Sequence, residues 1–539
     1  MSQSLPHRHP AEAPADRPNG DVRVFFYLLS LYFLIIIPIL RANRYFNDDL
    51  KRALIGRTGW DSNGRPLTTL LMKLLQSYDR ALVDISPLTQ IGAIAVLAWV
   101  GVLIARRYAI RSPWMAALVA FPLGAQPFFL ENLSYKFDAL SMGLAIYFAL
   151  LPIVALKDHR RGWWWGVLAI FASLNFYQPA INVYLIFVLL DLVVSQLHGM
   201  TPRLLLRQFL SRALQAGVSM LVYQLIVGIH INGWVKIKSE KIHGFHDLPV
   251  LKTNLVDFYT YVAKCFNEQW WMYFGPVLVL LAFFPVAIGL RYMARVRSTH
   301  PVWVGPTLLV TSFLLPLAVL VCVPGPMLLL LRPETEPRVF MGVGAVLVAG
   351  LIVMQAAMAQ WRRSDKWAMA VACMLALGMC SFASAYGNAL GEQKNYEDRI
   401  GARLADDLAD FRTSHGIHTY LLDGSAGYSP ITSHVIEQFP LVRWLIQPYI
   451  DGDETFLTPY FLMYYVSDIA DMRFRADDAA MQRVSGVLTK ACPLPVIRST
   501  QAYDVRLVDD IAVVSFRSAS ARCSTGNARV DASGESGAK

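Results

Sequence analysis

Two adjacent carboxylates, Asp48 and Asp49, stand in "NRYFNDDLKRALIGRTGW" (43–60), directly after an apolar run. Neighbouring carboxylates repel, so one of them usually gains a cation, a donor or a proton. Arg44, Arg52 and Arg65 lie close by in sequence, and a divalent ion would serve the same end. In a dry cleft beside lipid, a carboxylate pKa moves toward the working pH, where it can act as a general base. The plainer alternative is a solvated loop whose helix begins with acids because they complement its dipole. The dipeptide alone does not choose between these.

Three later stretches place charge or amide groups beside apolar sequence. "ENLSYKFDAL" (131–140) holds Glu131, Lys136 and Asp138 within two helical turns, and cations at such a boundary suit a lipid phosphate. A helix cap with an interface anchor accounts for them equally well. "SLNFYQPAINVY" (173–184) interrupts apolar sequence with Asn175, Gln178 and Asn182. Polar groups at membrane depth must face protein or a cavity, and interhelical hydrogen bonds alone would satisfy them. "RPETEPRVF" (332–340) carries Arg332, Glu334, Glu336 and Arg338; the fork of Arg338 could hold two phosphate oxygens or could simply anchor a helix end.

These groups need a scaffold, and composition says which kind. Of 539 residues, 55% are hydrophobic and 16% charged, against about a quarter charged in soluble domains. Apolar runs near 24–40, 86–105, 113–130, 138–156, 162–178, 180–197, 213–232, 271–290, 303–323, 338–357 and 367–386 approach or exceed the ~18 residues that span a bilayer. The expected fold is therefore mainly α, polytopic and transmembrane, with about eleven spans. The net charge of +10 does not point to nucleic acid, because the basic residues sit in short loops at alternate turns (Arg106, Arg107 and Arg111; Arg203, Arg207 and Arg212; Arg362, Arg363 and Lys366). That is the positive-inside pattern, which puts the N-terminus in the cytoplasm and, for an odd count, the C-terminus outside.

The resulting domain plan has four parts. Residues 1–22 read as a disordered cytoplasmic tail, and 23–386 as the membrane domain with an outer loop at 41–86 that carries the acidic pair. Residues 387–523 read as a small periplasmic α/β domain, and 524–539 as a disordered tail. "LTTLLMKLLQ" (67–76) is helical in spacing but too short to span, which suits an interfacial helix. "GEQKNYEDRIGARLADDLADFR" (391–412) reads as an amphipathic helix; "IHTYLLDG" and "VIRS" read as strands, and "AYDVRLVDDIAVVSF" (502–516) as a hairpin. Cys492 and Cys523 fall in the outer region, where either a disulfide or two free thiols would fit.

Taken in order, "YFNDDLKRALIGRTGW" with "NGRPLTTLL", "ENLSYKFDALSMGLAIYFALLP", "LNFYQPAINVYLIF" and "AYGNALGEQKNYEDRIGARLADDL" resemble the type II glucosyltransferases, polytopic enzymes that decorate bacterial O-antigen. The likeness runs through about Leu408 and implies a GT-C-like architecture with an acidic motif in the first outer loop. It implies a glucosyl donor on undecaprenyl phosphate, a lipid-linked or growing glycan of lipopolysaccharide as acceptor, and the inner membrane as location. On that reading one of Asp48 and Asp49 is the base on the acceptor hydroxyl, and the other positions the acceptor or binds a metal. Many GT-C enzymes use a divalent ion (Mg, Mn or Zn) and some do not. Arg65, Lys136 and Arg338 are the candidates for the donor phosphate, and Arg52, Asp138, Tyr177 and Gln178 for the substrate pocket. Direct displacement would invert the anomeric carbon.

No glycine-rich phosphate loop occurs, which argues against a nucleotide-sugar donor. The rival reading is a transporter or flippase of lipid-linked sugars. It predicts charges at mid-span and repeat symmetry, whereas these charges gather at boundaries, Asp191 excepted. A non-catalytic anchoring subunit is a third reading.

Overall fold

The structure is a computed structural model; it describes residues 18–77, 81–156, 160–296, 317–453, 457–465, 468–473, 478–517 and 521–523. The expected terminal tails lie outside the described residues, apart from 18–22. The chain is mainly helical and divides into two units: Met1–Leu40 with Arg57–Tyr386 and Phe439–Leu445, and Arg41–Gly56 with Gly387–Gln438 and Ile446–Lys539.

Seven described helices are long and apolar enough to cross a membrane: Gly20–Ala42, Leu88–Arg107, Gln178–Leu197, Pro202–His230, Phe274–Val296, Met341–Gln360 and Lys366–His415. Among the described residues this is fewer than the expected total of about eleven. The runs at 113–130 and 138–156 form the shorter apolar helices Pro113–Ala125 and Ala139–Val154. Pro122 divides the first of these internally, and the polar run Glu131–Asp138 separates the two. The run at 162–178 is a 17-residue helix, Arg160–Phe176. Most of 303–323 falls outside the described residues.

In the first unit, small residues let helices approach closely, since lipid supplies no hydrophobic drive between spans. A Cβ on Gly344 would come within 2.7 Å of the Pro122 carbonyl, so glycine is what permits that crossing. In the same unit Ala93, Leu97, Ala145, Ile146, Ile170, Tyr184 and Phe187 are fully buried.

The second unit is built on a five-stranded mixed sheet: β1 Thr419–Asp423, β2 Ala470–Asp471, β3 Arg498–Ser499, β4 Tyr503–Val508 and β5 Ile511–Phe516, in the order β2-β1-β5-β4-β3. β1 runs parallel to β2 and β5, while β4 is antiparallel to β3 and β5. Alternation along the strands sorts the two faces. Tyr420, Leu422, Val505, Ala512 and Val514 pack with Ile400, Leu404, Leu408 and Phe411 of the long helix. Leu421 and Val513 face Val484 and Leu488 of helix Asp478–Ala491 on the other side. There Cys492 and Cys523 are joined as a disulfide.

The amphipathic segment at 391–412 is not a separate helix. It continues the last apolar span as one helix, Lys366–His415, because the junction contains no proline and is rich in good helix formers.

Candidate functional site

In the first unit the "NGRPL" motif makes one tight device. A 3₁₀ turn, Asp61–Asn63, is closed by hydrogen bonds from the Asn63 and Arg65 amides to the Trp60 carbonyl, at 3.0 and 2.9 Å. Gly64 then takes φ +73, and Pro66 opens helix Pro66–Gln76, where a missing N–H costs nothing. A Cβ on Gly64 would collide with the Tyr223 hydroxyl and lie 3.0 Å from Ile231 Cδ1, so both the backbone angle and the space require glycine. Tyr223 Oη donates to the Gly64 carbonyl at 2.9 Å. Gln178 Nε2 donates to the Asn63 carbonyl at 3.0 Å and to Tyr223 Oη at 2.8 Å. Gln178, expected in a substrate pocket, therefore also holds this loop in place.

The loop aims Arg65. Its Nε donates to Gln178 Oε1 at 3.2 Å, and its guanidinium lies 4.5 Å from the Tyr177 ring centroid and 3.9 Å from Asp138. Asp138 is buried and accepts from Trp60 Nε1 at 2.7 Å. The Tyr177 hydroxyl donates to the Arg338 carbonyl at 3.3 Å, so a single tyrosine touches residues from both arginine-bearing stretches. Arg338 is fixed by Glu131, which receives both its backbone amide, at 2.6 Å, and its guanidinium, at 2.7 Å. Lys136, two residues before Asp138, is paired with Asp84 at 3.2 Å, and its carbonyl accepts from Thr89.

Each of the three expected phosphate ligands thus carries a carboxylate partner: Arg65 with Asp138, Lys136 with Asp84, and Arg338 with Glu131. Burial pushes the Glu131 carboxyl up to about 7 although Arg338 pulls it down. Burial likewise raises Glu336. Asp84 lies below its ordinary value, because hydrogen bonds from Ser86 and the charge of Lys136 outweigh burial. The Arg65 and Arg338 side chains keep 21% and 22% exposure, enough for their free donors to meet an anion.

Asp48, Asp49 and Arg52 belong to the second unit. Helix Asp48–Ile55 starts after Asn47, whose φ of 48 is a conformation asparagine tolerates better than most residues, and stops at Gly56 with φ 72. Its entry is bolted down. Arg44 donates to Glu397 at 2.8 Å and to the Gln447 carbonyl at 2.7 Å, and lies 4.0 Å over the Tyr449 ring. Tyr449 Oη accepts from the Asn47 amide and donates to the Tyr45 carbonyl. Leu50 enters the core with Ile400 and Leu404. Helical geometry puts the two acids in different surroundings: Asp49 is fully buried, while the Asp48 side chain keeps 40% exposure and meets Arg52 at 3.4 Å. Among the described residues no group of three or more His, Cys, Asp or Glu is arranged to hold a metal ion.

Sequence reasoning missed Trp60, Asp84 and Tyr223 as partners, and it left Glu131 as an anchor. The only available signal for Glu131 was an acid bordering one span and an arginine bordering another, a pairing that local spacing cannot reveal.

A multi-span helical protein with a basic cluster and a mixed-sheet unit is the class these features define. The sequence profile of the family described as Glucosyl transferase GtrII matches residues 37–349, and the chain belongs to that family. Membership implies a glucosyltransferase. The chain is also similar to a Salmonella phage P22 protein described as "Uncharacterized 55.3 kDa protein in gtrB 5'region": 25% identical over 443 residues, or 81% of this chain and 89% of the relative. No solved structure matches it.

Proposed function

We propose that this protein is an enzyme of the bacterial inner membrane that transfers glucose from undecaprenyl phosphate to a surface glycan such as the O-antigen of lipopolysaccharide. In this reading the N-terminus is cytoplasmic, the C-terminal unit is periplasmic, and about eleven segments cross the membrane. Asp48 or Asp49 takes the proton of an acceptor hydroxyl as its oxygen attacks the anomeric carbon, which inverts. The bond from that carbon to the donor phosphate breaks, and its electron pair leaves with the phosphate. Arg65, Lys136 and Arg338 hold that anion, so their charge counts most as the bond breaks.

The observation that carries the reading is the convergence of Arg65 and Arg338, from stretches remote in sequence, on Tyr177, with Lys136 beside Asp138. An incoming phosphate competes with the resident carboxylates for these cations. Glu131, whose carboxyl burial raises to about 7, can give up its charge by binding a proton and so release Arg338. In the first unit Asp138, Tyr177 and Gln178 line the donor side, and in the second Arg52 stands beside the acidic pair. A divalent ion (Mg, Mn or Zn) would find only one of Asp48 and Asp49 on each side of their helix, since Asp49 is buried and Asp48 is not, and the roles of the basic residues stand without it.

The test is the surface-glycan composition of cells carrying wild type, Asp48→Asn, Asp49→Asn or no copy, with each variant's membrane level checked. Glucose branches with wild type, and their loss in at least one variant inserted at normal levels, support the reading. Glucosylation by both variants would place the base elsewhere. An unchanged glycan with wild type would overturn the enzyme.

A further inference from the structure

A concavity in the first unit is lined by none of the residues assigned above. It encloses about 530 Å³, within the range of ligand sites, between helix Leu248–Lys264 and the segment leading into Arg338. Its polar lining comes from Thr253 and Asp257, one turn apart on the helix, and from Arg332 and Thr335 across the gap. Val250, Leu331 and Pro333 supply apolar surface.

The walls are built and braced. Asn254, also in the lining, is buried and spends its side-chain amide on the Leu328 and Leu330 carbonyls, at 3.0 and 2.8 Å. The far wall is clamped by an antiparallel bridge between Lys241 and Leu330, with the Leu331 amide donating to the Glu240 carbonyl at 2.9 Å. Tyr261, two turns beyond Asn254, stacks on Phe340 at 5.5 Å, which ties the helix to the end of the Arg338 segment.

What sets this cleft apart is that its charges are unspent. Arg65, Lys136 and Arg338 each hold a carboxylate, but among the described residues Asp257 and Arg332 make no ion pair or side-chain hydrogen bond. A carboxylate, a guanidinium and two hydroxyls around apolar patches make a poor phosphate site, since Asp257 would repel an anion. They suit a ligand dense in hydroxyls with apolar C–H faces, because sugar hydroxyls donate to a carboxylate and accept from a guanidinium.

We infer that this cleft, whose wall residue Thr335 lies three residues before Arg338 of the donor cluster, binds the saccharide chain of the acceptor. The inference rests on the glucosyltransferase reading, and it deepens that reading by giving the acceptor a binding site separate from the chemistry.

The experiment uses the full chain purified in detergent, with oligosaccharide released from lipopolysaccharide by mild acid as probe. Binding is read by saturation-transfer NMR, and transfer kinetics are read with a lipid-phosphate glucose donor. Asp257→Ala with Arg332→Ala should weaken oligosaccharide binding and raise acceptor KM about ten-fold or more, while donor KM and kcat stay within about two-fold, the pattern of lost ground-state binding. Lys252→Ala, exposed on the same helix but outside the lining, should match wild type, and Asp257→Asn should lose less than the alanine variant. Active enzyme with unchanged binding and acceptor KM in the double variant would overturn the cleft and leave the enzyme reading intact. Wild-type protein that neither transfers glucose nor binds the oligosaccharide would overturn both.

Discussion

Gly64→Ala should damage the protein out of proportion to a single methyl group. At φ +73 an alanine pays roughly 1–2 kcal/mol for the left-handed backbone. The new Cβ also meets the Tyr223 hydroxyl, which must retreat and so loses its bonds to the Gly64 carbonyl and from Gln178. At about 1 kcal/mol per neutral hydrogen bond, the local total is roughly 3–4 kcal/mol. The Trp60–Arg65 turn would detach and Arg65 would leave the Tyr177 ring, so transfer should fall along with stability. A double-mutant cycle separates the terms. Tyr223→Phe removes the hydroxyl and costs about 1–2 kcal/mol in hydrogen bonds; in that background Gly64→Ala should cost only the backbone term, roughly 1–2 kcal/mol. Thermal unfolding of detergent-purified protein, followed by tryptophan fluorescence, measures all four corners. If Gly64→Ala is neutral, or costs the same in both backgrounds, the close approach of Tyr223 is not what demands glycine.

Two further perturbations probe the two units separately. Glu131 binds its proton more tightly folded than unfolded, so its contribution to stability falls as pH rises from an ordinary carboxyl value toward about 7. Arg338→Ala removes the charge that lowers it, so the decline should extend to higher pH, and adding Glu131→Gln should flatten the melting temperature between pH 5 and 8; parallel curves for wild type and Arg338→Ala would discount the pair. In the second unit, Cys492→Ser with Cys523→Ser opens a link across 31 residues and should cost about 3–4 kcal/mol, lowering resistance to protease. Equal proteolysis with and without the bond would show that the sheet needs no such constraint.

The elements whose pattern is local were legible in the chain. The apolar runs announced a multi-span helical protein, because every backbone group in lipid must be satisfied within its own segment. Alternation in "IHTYLLDG" and "AYDVRLVDDIAVVSF" announced β1, β4 and β5. Which apolar runs form full-length helices was less legible, because Pro122 and the polar run from Glu131 shorten stretches that composition scores as whole. Nor was the continuity of the helix legible through Gly387–Gln393: the change from apolar to amphipathic pattern coincides with the division between the two units, but it does not show that the backbone runs on unbroken.

Tertiary structure alone decided the partners. Arg338 with Glu131, Trp60 with Asp138 and Arg44 with Glu397 lie 207, 78 and 353 residues apart, and no sequence period spans such distances. It also gave Asp48 and Asp49, indistinguishable as letters, different environments: each helical residue turns about 100° from the last, so one carboxylate stays at the surface and its neighbour goes inside.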